Sequence, residues 1–524
     1  MKLVIVGGGG FRVPQVMSVV QPNDGLIDEV CLYDVDVARL DAMHAVLQDL
    51  GYADRVRMSA TTDLSRALSG ADFVFSAMRV GGTCGRVCDE REALSRGVLG
   101  QETVGVAGYA YAFRTIPRAM HLAERVAELA PQAWIINFTN PAGIITQAMR
   151  RVHPRVVGIC DTPIGLVRRV GYLLGGPDVM NAVSQVDARI SYDYAGLNHL
   201  GWLRNFVVDG VDRLPEILGH TQMLERLEEG RTIGAEWIQA VGAIPNEYLF
   251  FYYHNREITQ KLARERTRGE FLHEQQGAFY QAVAQAKDGS GAGALWRAAH
   301  EEREATYMAE SRAADEQRTE EDRLAGGYEQ VAYDLMRALA TGVPARMILG
   351  VPNTVGELTY PQPADQGAEV LASGINSQKN VSASTVQNSK MLPDRSVVCP
   401  REAVVAGDEV AEHSALQTQG RASATYPELL IPQLSADAVV EVPCVVDAAG
   451  VHPQRPRPLH GPELGLIQQV KACEELVIEA VDRRSKALAW RALAAHPTVD
   501  SVEVAHEILA GYLQVNPDIA EVFD

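Results

Sequence analysis

The chain is poor in several things. Its 524 residues include seven cysteines, scattered and without a CxxC pair, which excludes a disulfide framework and leaves reduced thiols free to act as ligand or nucleophile. Lys and Arg number 48 against 67 Asp and Glu, a net charge of −19. That balance excludes general binding to nucleic acid or an anionic membrane, since such partners are held by clustered cations; an anionic small molecule would need a local basic pocket. No apolar run is long enough to span a bilayer, and the first residues enter a strand-like run at Lys2-Leu3-Val4 with no basic leader, so the expected location is the cytoplasm. There is no internal repeat. What remains is a chain with 47% apolar residues, enough to bury a large core in two or more domains.

The first part alternates β-type runs with helical patterns. The candidate strands are "KLVIVG", "EVCLYD", "DFVFSAM", "AWIINFT" and "RVVGIC". The expected fold class is α/β, with a Rossmann-like parallel sheet over residues 1–164 followed by an α+β substrate and oligomerisation domain over 165–524. Longer helical patterns are expected at "EEREATYMAESRAADEQRTEEDRLA", a strand region at "ARISYDYAGLNHLGW", and a strand and turn at "DAVVEVPCVVDAAGVHPQ". Amphipathic helices are expected from "GPELGLIQQVKACEELVIEAVDRRSKALAWRALAAH", packed as a layer on the rest. Residues 361–430, rich in Ser, Gln, Asn, Gly and Ala, read as an irregular, solvated insertion.

Ligands of open α/β sheets bind beyond the carboxyl ends of the strands. Gly7, Gly8, Gly9, Gly10 and Phe11 follow the first strand, and Asp34 closes the second. Glycines let a backbone approach a pyrophosphate, and an acid after the next strand accepts bonds from ribose hydroxyls, which favours NAD over NADP. The third spaced glycine is missing; Phe11-Arg12 stand there instead, and Arg12 faces either a phosphate or solvent. Arg79 follows the third run, Asn140 the fourth, Cys160 and Asp161 the fifth. Cys160 and His199 are a thiol and an imidazole, both able to hold a transition metal; spacing alone does not pair them.

Taken in order, "VIVGGGG", "YDVD", "GQETVGVAG", "NFTNPAG", "ICDTP", "GLNHLGW", "NEYL", "VEVPC" and "GLIQQVKACEELVIEA" resemble glycoside hydrolase family 4, the NAD- and divalent-metal-dependent glycosidases, and among them the 6-phospho-β-glucosidases. The resemblance implies a fold like that of lactate and malate dehydrogenases, and a homodimer or homotetramer acting on a phosphorylated glycoside. Its cofactors would be NAD and Mn2+, the metal held by Cys160 and His199. Tyr248 matches the family's base for the proton on sugar carbon 2; as a phenol it would need a nearby cation to work near neutrality. Asn140 and Asn198 match substrate-binding amides, and Arg79 and Arg86 fall in the segment lining the sugar and phosphate site. Asp161 stands where β-specific members often carry asparagine and where α-specific members carry an aspartate proposed as general acid. Three alternatives stay open: action on 6-phospho-α-glucosides or unphosphorylated glycosides, a net NAD-dependent 2-hydroxy acid dehydrogenase, and an NAD-binding regulator without catalysis.

Overall fold

The computed structural model describes residues 1–20, 25–286, 289–312, 318–319, 322, 327–356 and 428–524. The expected irregular stretch at 361–430 lies almost wholly outside them. Thirteen strands among the described residues join one sheet: β1 (Lys2–Val6), β2 (Glu29–Tyr33), β3 (Arg57–Thr61), β4 (Phe73–Ser76), β5 (Trp134–Asn137), β6 (Val156–Gly158), β7 (Ile190–Leu197), β8 (Leu200–Val208), β9 (Val211–Asp212), β10 (Ile244–Pro245), β11 (Ala345–Pro352), β12 (Val439–Asp447) and β13 (Gly450–Pro453).

One half of the sheet is parallel, in the order β3-β2-β1-β4-β5-β6, the expected Rossmann-like arrangement. Its central strands are apolar runs because helices cover both faces. Leu3 and Ile5 enter one core, while Val4 and Val6 enter the other, the period of two that a strand imposes. The second core is closed by the helices Val106–Leu129, Gly461–Asp482, Lys486–Ala494 and Val502–Val515 through residues such as Phe113, Val477, Leu493 and Tyr512. The expected helical layer from the carboxyl third is therefore present.

Beyond β6 the sheet turns antiparallel. β11 pairs with β6 where Gly350 faces Gly158, β12 runs beside β11, and β12 meets β7 where Glu441 faces Gly196. β7 and β8 form a hairpin whose tight turn is Asn198-His199. The sheet thus carries the carboxyl end of β6 and the β7–β8 turn to the same region.

Two expectations change. "RMSAT" forms the edge strand β3, which the sequence did not announce because it is largely exposed and lacks an apolar run. The long helical pattern near 301–325 is interrupted: the helix Ala292–Ala305 ends, and Met308 adopts a left-handed φ of 51° that buries its side chain before the short turn Ala309–Ser311.

Candidate functional site

The glycine loop is held by its own neighbours. Gly7 and Gly8 N–H groups donate to the Tyr33 carbonyl at 2.9 and 2.8 Å, and Gly10 N–H donates to the Gly7 carbonyl at 2.8 Å. A Cβ on Gly8 would stand 2.7 Å from the Tyr33 nitrogen, and one on Gly7 2.6 Å from the Ala77 oxygen. Close packing of β1 on β2 and β4 therefore requires these glycines before any ligand is considered. Asp34 accepts from Gly9 N–H at 3.0 Å and keeps an exposed edge. Phe11 is buried edge-on against Phe279, with its carbonyl accepting from the Trp296 indole at 2.9 Å.

Beside this loop lies a cleft lined by Gly7, Gly10, Phe11, Arg12, Arg39, Arg79, Arg86, Asn140 and Arg303. Asn140 precedes a cis peptide bond to Pro141. Arg79 and Arg86 both pair with Glu102, and Arg86 also holds Glu90 at 2.7 Å. Burial would raise the Glu102 carboxyl, yet these arginines hold it well below the usual carboxylate range. A second cavity, lined by Asp161, Thr162, Arg169, Glu247, Tyr307 and Glu304, shares Arg12 and Arg303 with the first.

Cys160 and His199 meet between β6 and the β7–β8 turn. Cys160 Sγ lies 3.5 Å from His199 Nε2 and 3.3 Å from Thr162 Oγ1. His199 has φ of 62°, a strained backbone position for a non-glycine residue. Its Nδ1 lies 2.9 Å from Thr103 Oγ1, while that hydroxyl donates to Gln101 Oε1 at 3.1 Å. With its one proton so committed, Thr103 accepts from His199 Nδ1–H, and the Nε2 lone pair faces the sulfur. Burial lowers the His199 pKa to about 4, keeping the ring neutral. Burial, with Asp161 and Glu441 nearby, pushes the Cys160 thiol up.

Tyr248 lies flat on His199, ring centroids 3.8 Å apart and planes within 7°. It sits in the 3-10 turn Glu247–Leu249, capped by Asn246, whose side chain accepts from Tyr248 N–H at 3.0 Å and donates to Thr162 Oγ1 at 2.7 Å. One asparagine therefore ties the Tyr248 turn to the Cys160 turn. Burial raises the Tyr248 phenol well above its ordinary value, and a 3.4 Å contact with the Tyr307 hydroxyl partly offsets this. The Tyr307 hydroxyl donates to Glu247 Oε1 at 2.7 Å. Burial and Glu228 push the Glu247 carboxyl up to about 8 against the pull of Arg169.

Asn198 donates through Nδ2 to Glu441 Oε1 at 2.9 Å, which turns its amide oxygen the other way. Asp161 opens the helix Thr162–Ala182, and burial raises its carboxyl while Arg12 pulls it down. Thus Cys160, His199, Tyr248, Asp161 and Asn198 gather around three adjoining turns, while Gly7, Gly10, Arg79, Arg86 and Asn140 line the neighbouring cleft. Thr103, Thr162, Asn246 and Glu441 lie within the quoted motifs without having been singled out, and Tyr307 lies outside them; what each holds shows only in the folded contacts.

A family model described as Family 4 glycosyl hydrolase matches residues 2–175, and that of the family's C-terminal domain matches 194–361 and 424–499. A maltose-6'-phosphate glucosidase of Bacillus subtilis is 25% identical over 99% of this chain and 96% of its own length. A 6-phospho-beta-glucosidase of Escherichia coli is 31% identical over 49% of this chain and 59% of its own length. Among solved structures, the 6-phospho-beta glucosidase of Thermotoga maritima with NAD and glucose-6-phosphate superposes with a TM-score of 0.69 at 23% identity, covering 99% of this chain and 98% of that one. A 6-phospho-alpha-glucosidase from gut microorganisms, in complex with NAD and Mn2+, gives 0.69 at 22% identity over the same shares.

Proposed function

The chain belongs to the family 4 glycosyl hydrolases, and from that premise we propose that it hydrolyses glucosides phosphorylated at carbon 6, with NAD and a divalent metal ion as cofactors. The observation that carries this is the contact of three side chains: Cys160 Sγ 3.5 Å from His199 Nε2, with Tyr248 stacked on the imidazole. A thiol and an imidazole nitrogen this close could both reach one divalent ion. Thr103 turns the lone pair the right way, and the thiol and imidazole suit a transition metal. The first cleft lies at the carboxyl ends of β1 and β4, the place a dinucleotide takes in this topology, and Asp34 beyond β2 is tied to the same glycine loop through Gly9 N–H.

When bound, NAD supplies a reversible hydride acceptor for sugar carbon 3 and the divalent ion supplies positive charge beside that carbon's oxygen. Tyr248, whose phenol burial raises, would take the proton of carbon 2 once a cation held at Cys160 and His199 brought that phenol back down, and the aglycone would then depart. Asp161, whose carboxyl burial raises while Arg12 pulls it down, would give the departing oxygen its proton. Asn198 accepts from a sugar hydroxyl with the amide oxygen that Glu441 leaves free. Addition of water at carbon 1, with the hydride given back by a bound NAD, would leave no net oxidation.

The motifs read from the sequence favour a 6-phospho-β-glucoside. Asp161 favours the α anomer instead, because a well-placed acid is present on the Cys160 turn, in the cavity it shares with Tyr307 and Glu247. Parallel assays of nitrophenyl 6-phospho-α- and β-glucosides with NAD and Mn2+ separate the two. Hydrolysis of either, lost on removal of NAD or metal, supports the function; steady accumulation of NADH would make the chain a dehydrogenase instead.

A further inference from the structure

Arg79 and Arg86 are spent on Glu102 and Glu90, so the site's uncommitted positive charge lies elsewhere. Arg12 and Arg303 have no carboxylate within ion-pair distance among the described residues. The Arg12 guanidinium rests 5.0 Å from the Phe138 ring centre and 4.9 Å from that of Tyr328, two rings stacked 4.1 Å apart. Arg303 is 8% exposed and lies 5.8 Å from the Phe11 ring. Burial disfavours the Arg303 charge, and Arg12 and Arg268 disfavour it further. Asp161, Glu102 and Glu304 attract Arg12 from beyond ion-pair distance, and Glu304 does the same for Arg303.

An arginine does not escape such a setting by losing its proton. A half-buried and a buried guanidinium that repel each other are stabilised when a multivalent anion sits between them, where repulsion becomes two charge-assisted attractions. Both side chains line the cleft beside the glycine loop and also the cavity of Asp161 and Tyr307. We infer that Arg12 and Arg303 together seat a phosphate group at the boundary of these cavities, and that this phosphate is the substrate's. The inference rests on the proposed phosphoglucosidase function. The other source of the same chemistry is the cofactor's diphosphate.

Calorimetric titration of the full chain with glucose 6-phosphate, glucose and NAD, in the presence of Mn2+, distinguishes them. The wild type is expected to bind glucose 6-phosphate far more tightly than glucose. Arg12→Gln and Arg303→Met should each weaken glucose 6-phosphate by about 30-fold, the scale of a lost charged hydrogen bond, and leave NAD within twofold. Arg303→Lys, which keeps the charge in a smaller change, should fall between. Weakened NAD with unchanged glucose 6-phosphate would assign the pair to the cofactor and overturn the inference. Unchanged binding of both would overturn it outright. A wild type that does not prefer glucose 6-phosphate to glucose would instead overturn the proposed function itself.

Discussion

Thr103 decides which nitrogen of His199 faces Cys160, since its hydroxyl is bound to Gln101 Oε1 and accepts from Nδ1. Thr103→Val should therefore lower Mn2+ affinity by about 10–100-fold, the usual effect of losing a partner that orients a ligand, as read by titration of free Mn2+. Tyr248→Phe keeps the ring stacked on His199 while removing the phenol oxygen, and kcat should fall by about 10²–10⁴. A loss under twofold would move proton abstraction to another group. Asp161→Asn should spare nitrophenyl phosphoglucosides, whose leaving group needs no proton, and depress alkyl phosphoglucosides much more strongly. Cys160, His199 and Tyr248 were legible because short motifs around them carry a family resemblance. Thr103, Tyr307 and Arg303 were not, because Thr103 acts on a residue 96 positions away and Tyr307 on one 60 away, and no local pattern records such meetings.

At the scale of elements, the parallel strands were legible wherever burial on both faces demanded continuous apolar runs, as in "VIV" and "FVF". β3 escaped because an edge strand half in solvent needs no such run. The glycine loop also means more than a cofactor motif: Gly8→Ala would force a methyl to within 2.7 Å of the Tyr33 backbone and should cost about 1–3 kcal/mol. A lowered melting temperature without any NAD checks this. β12 contributes Glu441, whose carboxyl burial raises to about 8 despite the bond from Asn198. Because the folded pKa lies above the ordinary 4.5, the folded state retains a proton the unfolded chain releases, so this residue's contribution is complete at low pH and is lost as pH rises through about 8. Glu441→Gln should match the wild type in melting temperature near pH 5 and exceed it at pH 9; an equal decline in both proteins would place the titration elsewhere.

For the whole molecule, one continuous sheet brings a parallel half with a dinucleotide topology against an antiparallel half that carries the β7–β8 turn and Glu441. β6 leads into Cys160 and Asp161 at the junction of the two halves, so the candidate chemistry lies where they join. The strong negative charge would not bar the proposed anionic substrate, because Arg12 and Arg303 line cavities rather than the open surface. The central claim is that Cys160, His199 and Tyr248 serve hydrolysis through removal and return of the carbon 2 proton, with NAD regenerated in each turnover. Hydrolysis of a 6-phosphoglucoside in D2O, with NAD and Mn2+ present, tests this through the isotopic content of the product. Deuterium is expected at carbon 2 of the released glucose 6-phosphate, with no accumulation of NADH. Product formed at full rate with only protium at carbon 2 would contradict it.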